Sequence, residues 1–277
     1  EGTALHFAAG HELPVAALAL LSCGDFDLSV PKLRERDGST ALHLAAANGH
    51  EEVVKALMDR QDFMDHIGAL DKDGFTALHG AAFRGHLGCV QAFVRNTFVT
   101  EDIVSVAGCF DVPRPQGHWA REAAEFYDMN TALHLAATMG HTAICQLLLI
   151  HGPRSADKAN RMGATALHMA AKGGHTETVQ AIVSAPAFSA VQTSRPLLFD
   201  PRLSSEVNAR DTRGFTALHW AAHQVIGDIA SLILESQDFY QVDCKDLRGR
   251  TAAQIAEELG HPEVCHLILQ RSHKPLD

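Results

Sequence analysis

The sequence predicts an all-α solenoid of stacked helix pairs, joined by β-turn fingers and interrupted by two inserted loops. Three observations predict it. The frame Thr-Ala-Leu-His occurs six times, at 3–6, 40–43, 76–79, 131–134, 165–168 and 216–219, and a decayed copy reads Thr251-Ala252-Ala253-Gln254. Four of the six intervals between copies are 37, 36, 34 and 35 residues, the fixed spacing of a repeat architecture. Eleven of the 18 histidines fall at set places in that frame, so histidine here serves the repeat rather than one reactive centre.

Each element of the unit has a local reason. Thr is a helix N-cap whose hydroxyl faces the orphan N–H groups of the first turn. His falls at the third helical position, from which a side chain reaches back to the cap. A small pair follows, such as Ala45-Ala46 or Ala170-Ala171, and lets neighbouring helices approach closely. Gly-His, at 49–50, 85–86, 140–141, 174–175 and 260–261, ends a helix of about nine residues, the Gly providing positive φ. Apolar spacings such as Val53-Val54 with Leu57-Met58 predict a second, amphipathic helix. Glu51-Glu52 opens one such helix, where negative charge suits the dipole. Asp71-Lys72-Asp73-Gly74 and Asp211-Thr212-Arg213-Gly214 are turn sequences before the next cap.

This frame resembles the ankyrin repeat, with its period of about 33 residues and its T-P-L-H-x-A signature. The resemblance covers nearly the whole chain. It divides one domain, 1–277, into repeats near 1–34, 35–70, 71–94, 126–159, 160–183, 211–245 and 246–270, with inserts at 95–125 and 184–210. All seven copies have Ala where the family often has Pro, a small change because Ala is the best helix former. Three repeats depart further. The first reads Glu12-Leu13 in place of Gly-His, the sixth reads Val225-Ile226 there, and the fourth carries Met129 in place of the finger glycine.

The inserts account for the two long intervals, 55 and 51 residues, and both follow a second helix. Trp119 to Tyr127 predicts a short helix in the first insert. Each insert is expected to project from the finger side, as a loop pinned onto the second helices or as a partner-contacting arm. The last repeat reads as a cap, with Gln254 and Glu257-Glu258 giving it a polar face. Glu1-Gly2-Thr3 begins within a unit, which implies further residues upstream.

Composition excludes several functions. A hydrophobic share of 46% is that of a folded chain. The longest apolar run, Val15 to Leu21, is too short to cross a membrane. A net charge of −10 is a poor match to phosphate backbones, so no nucleic-acid partner is expected. The six cysteines form no CxxC pair, and Cys89, Cys145 and Cys265 sit in apolar helical stretches as reduced core thiols. An intracellular, reducing compartment follows, the cytoplasm first. No HExxH, GxSxG, GxGxxG or Walker loop is present, so no catalytic residue, metal or cofactor is expected. The frame histidines read as caps. If they are buried and neutral, stability declines as pH falls through the ordinary imidazole value of about 6.5.

The variable positions carry the functional expectation. In the family, partner contacts gather on the fingers and on the two residues after the Ala pair. Thirty such positions hold eight Lys or Arg and four Asp or Glu, a net charge of +4 on a chain of −10. From them Arg36, Lys72, Phe75, Phe83, Arg84, Tyr127, Met139, Arg161, Lys172, Arg213, Phe215 and Arg248 form the expected partner-binding strip, since Arg and aromatics are typical interface anchors. Phe75, Arg84, Arg213 and Phe215 are expected to be replaceable without unfolding the stack. The resemblance implies a non-enzymatic interaction scaffold or adaptor, a structural subunit of a larger complex, and the basic strip adds the expectation of a protein partner with an acidic patch. The alternative is a repeat segment of a longer catalytic or channel protein whose activity lies elsewhere.

Overall fold

A computed structural model describes residues 3–11, 13–23, 38–60, 63, 66–96, 107–108, 129–152, 155–156, 158–185, 206–236, 239 and 241–272. Arg36, Tyr127, the Trp119–Tyr127 helix and most of both inserts lie outside the described residues. The chain forms two compact units, Glu1–Ala136 and Ala137–Asp277.

In the first unit the inner helices are α1 (Ala4–Gly10), α3 (Ala41–Ala47) and α5 (Ala77–Arg84). The outer helices are α2 (Pro14–Ser22), α4 (Glu51–Met58) and α6 (Leu87–Arg95). Inner packs on inner and outer on outer, and each inner helix packs on the outer helix that follows it. The helix α7 (Ala132–Met139) begins at the end of this unit. In the second unit, α8 (Thr142–His151), α10 (Thr176–Val183), α12 (Gly227–Glu235) and α14 (Pro262–Ser272) form the outer row. There α9 (Ala166–Gly173), α11 (Ala217–His223) and α13 (Ala252–Glu258) form the inner row. Each unit is thus a stack of helix pairs, as the frame predicts.

Each inner helix starts one residue after its Thr, and the cap is reciprocal. The Thr40 N–H donates to His43 Nδ1 at 3.2 Å, the Thr40 hydroxyl lies 2.8 Å from the same nitrogen, and the His43 N–H points back to Thr40 Oγ1. The box recurs at Thr3, Thr76, Thr131, Thr165 and Thr216, and at Thr251 with Gln254 in the histidine's place. Nδ1 accepts, so the proton of the neutral ring sits on Nε2. That proton is spent across repeats: His43 Nε2 meets the Phe75 carbonyl, and His168 Nε2 the Phe215 carbonyl, both at 3.1 Å.

The second histidine of the frame works differently from the local cap expected of it. His50, His86 and His175 precede the outer helices without a side-chain cap bond. Their Nε2 atoms instead bond to carbonyls of the preceding repeat: His50 to His11 at 2.7 Å, His86 to Ala47 at 3.0 Å and His175 to Thr138 at 2.8 Å. The ring lies against the glycine of that repeat. A Cβ on Gly49 would stand 2.6 Å from His86 Nδ1, and one on Gly140 2.5 Å from His175 Nδ1. The glycine is therefore required both by positive φ and by its neighbour.

Among the described residues, positive φ outside glycine occurs at Met129 and Val225, at +59° and +64°. Among the described residues these are the two frame positions where glycine is replaced. The backbone of the unit overrides the local preference of the residue. Ile226 in turn takes the histidine's place, its side chain lying where a Cβ on Gly174 would stand, at 2.7 Å.

The first insert contributes a short strand. Ala107–Gly108 (β1) pairs antiparallel with Asn130–Thr131 (β2), so the insert returns to the entrance of the fourth repeat as a short strand, which the sequence pattern does not announce.

Candidate partner-binding surface

The fingers are built on one side chain each. Asp71 Oδ1 accepts the N–H groups of Asp73 and Phe75 at 2.9 Å. Asp211 does the same for Arg213 and Phe215 at 2.8 Å, Asp246 for Arg248 and Arg250 at 2.8 Å, and Asn160 for Met162 and Ala164 at 3.0 Å. All four are buried. They are turn struts, and two of the aspartates also pair with finger arginines: Asp246 Oδ2 lies 2.9 Å from Arg250 and Asp211 Oδ2 lies 3.9 Å from Arg213. Adjacent fingers are tied by backbone bonds, Thr212 N to the Met162 carbonyl at 2.8 Å and Leu247 N to the Arg213 carbonyl at 3.0 Å.

The structure corrects the aromatic part of the expected strip. Phe75 is 0% exposed, and Phe83 and Phe215 are 6% exposed. Phe75 and Phe215 stand just before an N-cap, the position of a hydrophobic staple. Phe215 packs edge-on against Trp220, four helical positions on, with centroids 5.4 Å apart, and also stacks on His219. Phe75 packs against His79 at 5.4 Å. These residues belong to the core, and replacing Phe75 or Phe215 would remove a core contact.

The cations of the strip divide by unit. In the first, Lys72 is exposed and Arg84 is half-buried. In the second, Arg161, Lys172, Arg213 and Arg248 are exposed, as is the uncharged Met139. Two of them converge. The Arg213 guanidinium lies 4.5 Å from the centre of the Trp220 ring and 5.3 Å from Phe215, and Lys172 Nζ lies 5.4 Å from Trp220. The indole is held in turn by its N–H, which donates to Asp211 Oδ2 at 3.3 Å. Beside this platform a cleft of about 400 Å³ is lined by Arg213, Phe215, His223, Leu247, Arg248 and Leu259 among others.

Trp220 is the organising residue that reasoning from variable positions missed, because it precedes the Ala pair. The signal was present in Phe215 and Trp220 at staple spacing across Thr216. Arg250, by contrast, is committed: it donates to Asp246 Oδ2 from Nε and Nη2, at 3.1 and 2.9 Å, and to Glu258 at 2.8 Å. Asp246 is held below the usual carboxylate range: burial acts to raise it, but hydrogen bonds from Arg250 and the Arg248 N–H outweigh it.

Cys89 and Cys145 are buried, and burial pushes both thiols up to about 12, far from nucleophilic use. Cys265 is half-buried rather than part of the core. Among the described residues no three His, Cys, Asp or Glu side chains gather as a metal site, and no helix is long and apolar enough to cross a membrane.

A family profile described as ankyrin repeats matches residues 5–103, 120–193 and 189–276. Among solved structures, the ankyrin repeat domain of human ASB11 is similar over 99% of this chain and 100% of that one, with a TM-score of 0.65 and 18% identity. The ankyrin repeat domain of Bcl-3, an IkappaB-family protein, is similar over 98% of this chain and 100% of that one, with a TM-score of 0.64 and 21% identity. At such identities the likeness is one of fold. A search of curated proteins gives no significant sequence match.

Proposed function

The chain belongs to the ankyrin-repeat family, whose repeats are protein–protein interaction modules, and from this premise we propose that it is a non-enzymatic scaffold or adaptor that holds a protein partner on its finger and inner-helix face. The observation that carries this is the Lys172–Trp220–Arg213 platform. Two exposed cations are set on one buried ring, which is itself fixed by Phe215 and Asp211. Pre-set Arg and aromatic groups lose little freedom on binding, which is how a few residues come to dominate an interface. The basic character of Lys172, Arg213 and Arg248 on an acidic chain fits a partner with an acidic patch and membership of a larger complex. The buried free thiols of Cys89 and Cys145 fit a reducing compartment such as the cytoplasm.

Site-specific photo-crosslinking tests the face. A benzophenone side chain placed at Lys172, Arg161 or Arg248 is expected to capture one partner, and the same group at the outer-helix positions Gln146 and Gln180 is not. Equal capture from both rows would overturn the assignment.

A further inference from the structure

Resting on that interaction reading, the geometry points to one subsite and one ligand chemistry: the cleft between the sixth and seventh fingers receives an acidic peptide segment in which a bulky apolar side chain is flanked by Asp or Glu. The cleft, of about 400 Å³, has walls of two kinds. Leu247 and Leu259 face it from the finger tip and the end of α13, 76% and 45% exposed. A leucine this exposed at a finger tip leaves its side chain to solvent, while its backbone already completes the inter-finger bond to Arg213. Arg213 and Arg248 stand on the same cleft.

The charges there are only partly balanced from within. Asp211 and Asp246 are buried and turned to finger N–H groups, and Glu258 is taken by Arg250. Among the described residues the Arg248 side chain makes no hydrogen bond or ion pair, and the nearest carboxylate oxygen to Arg213 is 3.9 Å from its Nε. Contact with the Trp220 ring holds the planar Arg213 guanidinium in place, which suits the two-pronged geometry of a carboxylate. One apolar side chain between the leucines, with carboxylates on the two arginines, satisfies both walls at once. A basic segment would meet like charge, and a small or polar central residue would leave the leucines wet.

The test uses the full chain, labelled with ¹⁵N, and the capped peptide Glu-Glu-Phe-Glu-Glu as probe. The controls replace every Glu by Lys, replace Phe by Ala, or use an oligothymidylate of eight nucleotides. The probe is expected to shift the Trp220 indole N–H and the Leu247 and Leu259 amides saturably, with at least tenfold higher affinity than any control. Arg213→Glu with Arg248→Glu is expected to weaken it at least tenfold and Leu247→Ala severalfold, whereas Leu269→Ala, on α14, leaves it unchanged. Arg248→Glu alone serves as the variant if the double change disturbs folding, since it breaks no contact. No shift at millimolar probe, or equal response to the lysine peptide or the oligonucleotide, overturns the inference. If the inner-row crosslinks persist in that case, only the cleft's ligand chemistry fails; if they too are absent, the interaction reading falls with it.

Discussion

At the scale of single residues, the repeat is held by groups whose roles depend on one atom. His43 Nδ1 accepts from the Thr40 cap and Nε2 donates to Phe75, so the ring joins a local cap to the next repeat. Gln254 shows that an amide can make the cap alone, accepting from Thr251 N at 3.0 Å. His43→Gln is therefore expected to retain the helix start and lose the inter-repeat bond. His43→Ala loses both and costs about 1–3 kcal/mol, read from urea melts of the two variants. Val225 is the opposite case, a branched residue held in the left-handed region at +64° with its side chain largely in solvent. Relieving that conformation while losing some chain entropy leaves a net gain of about 0.5–1 kcal/mol for Val225→Gly. A melting temperature at or below that of the parent would show that the strain is absorbed elsewhere.

At the scale of elements, helix and finger depend on each other through buried polar groups and the staple. His168 and His219 are buried and neutral, and burial lowers both below the ordinary imidazole value, against the raising effect of nearby carbonyls and of Asp211 or Asp246. The cap geometry adds a reason. Charging the ring puts a proton on Nδ1, which already faces the cap N–H and hydroxyl. With the folded pKa lowered, their contribution is complete above the unfolded value of about 6.5 and declines as pH falls through it toward the folded value. The lowered carboxyl of Asp246 acts in a different window, complete above about 3.9 and lost as pH falls through its folded value. A melting temperature that falls between pH 7.5 and 5 would reflect the histidines, and a flat profile would count against their burial as neutral rings. The buried ring of Phe75 predicts a separate loss. Phe75→Ala is expected to cost about 3–5 kcal/mol in denaturant unfolding, as a buried core truncation does; a cost below about 1 kcal/mol would return Phe75 to the surface.

At the scale of the whole molecule, stability and binding are assigned to different atoms of the same frame. The Ala pairs, the Leu of each Thr-Ala-Leu-His and the staple residues are buried in both units. Lys172 and Arg248 stand outside that core in the second unit. Reversing both, Lys172→Glu with Arg248→Glu, is expected to leave the melting temperature within a few degrees of the parent. The same change is expected to weaken an acidic partner by about tenfold or more and to flatten the salt dependence of its association rate. Surface plasmon resonance at two ionic strengths with a calorimetric melt reads all three quantities. Unchanged affinity with unchanged stability would move the binding face elsewhere.

The architecture was legible because every repeat states it again. Thr before a helix, His three positions in, an Ala pair and a positive-φ glycine act within a few residues, and local sequence determines local hydrogen bonds. Even the irregular copies were located by it: Met129 and Val225 stand where the frame asks for glycine, and the backbone there takes glycine's conformation. The surface was less legible, because exposure is settled between repeats. Phe75 and Phe215 occupy variable finger positions in the sequence, yet their rings are buried by a histidine or tryptophan of the following helix and their carbonyls by a histidine of the preceding repeat. The finger aspartates, by contrast, read as turn residues in the sequence, and their backbone donors agree. The meeting of Lys172 with Trp220, which belongs to the next repeat, was decided by the stack, because residues more than forty positions apart come within reach only when helix pairs pack side by side.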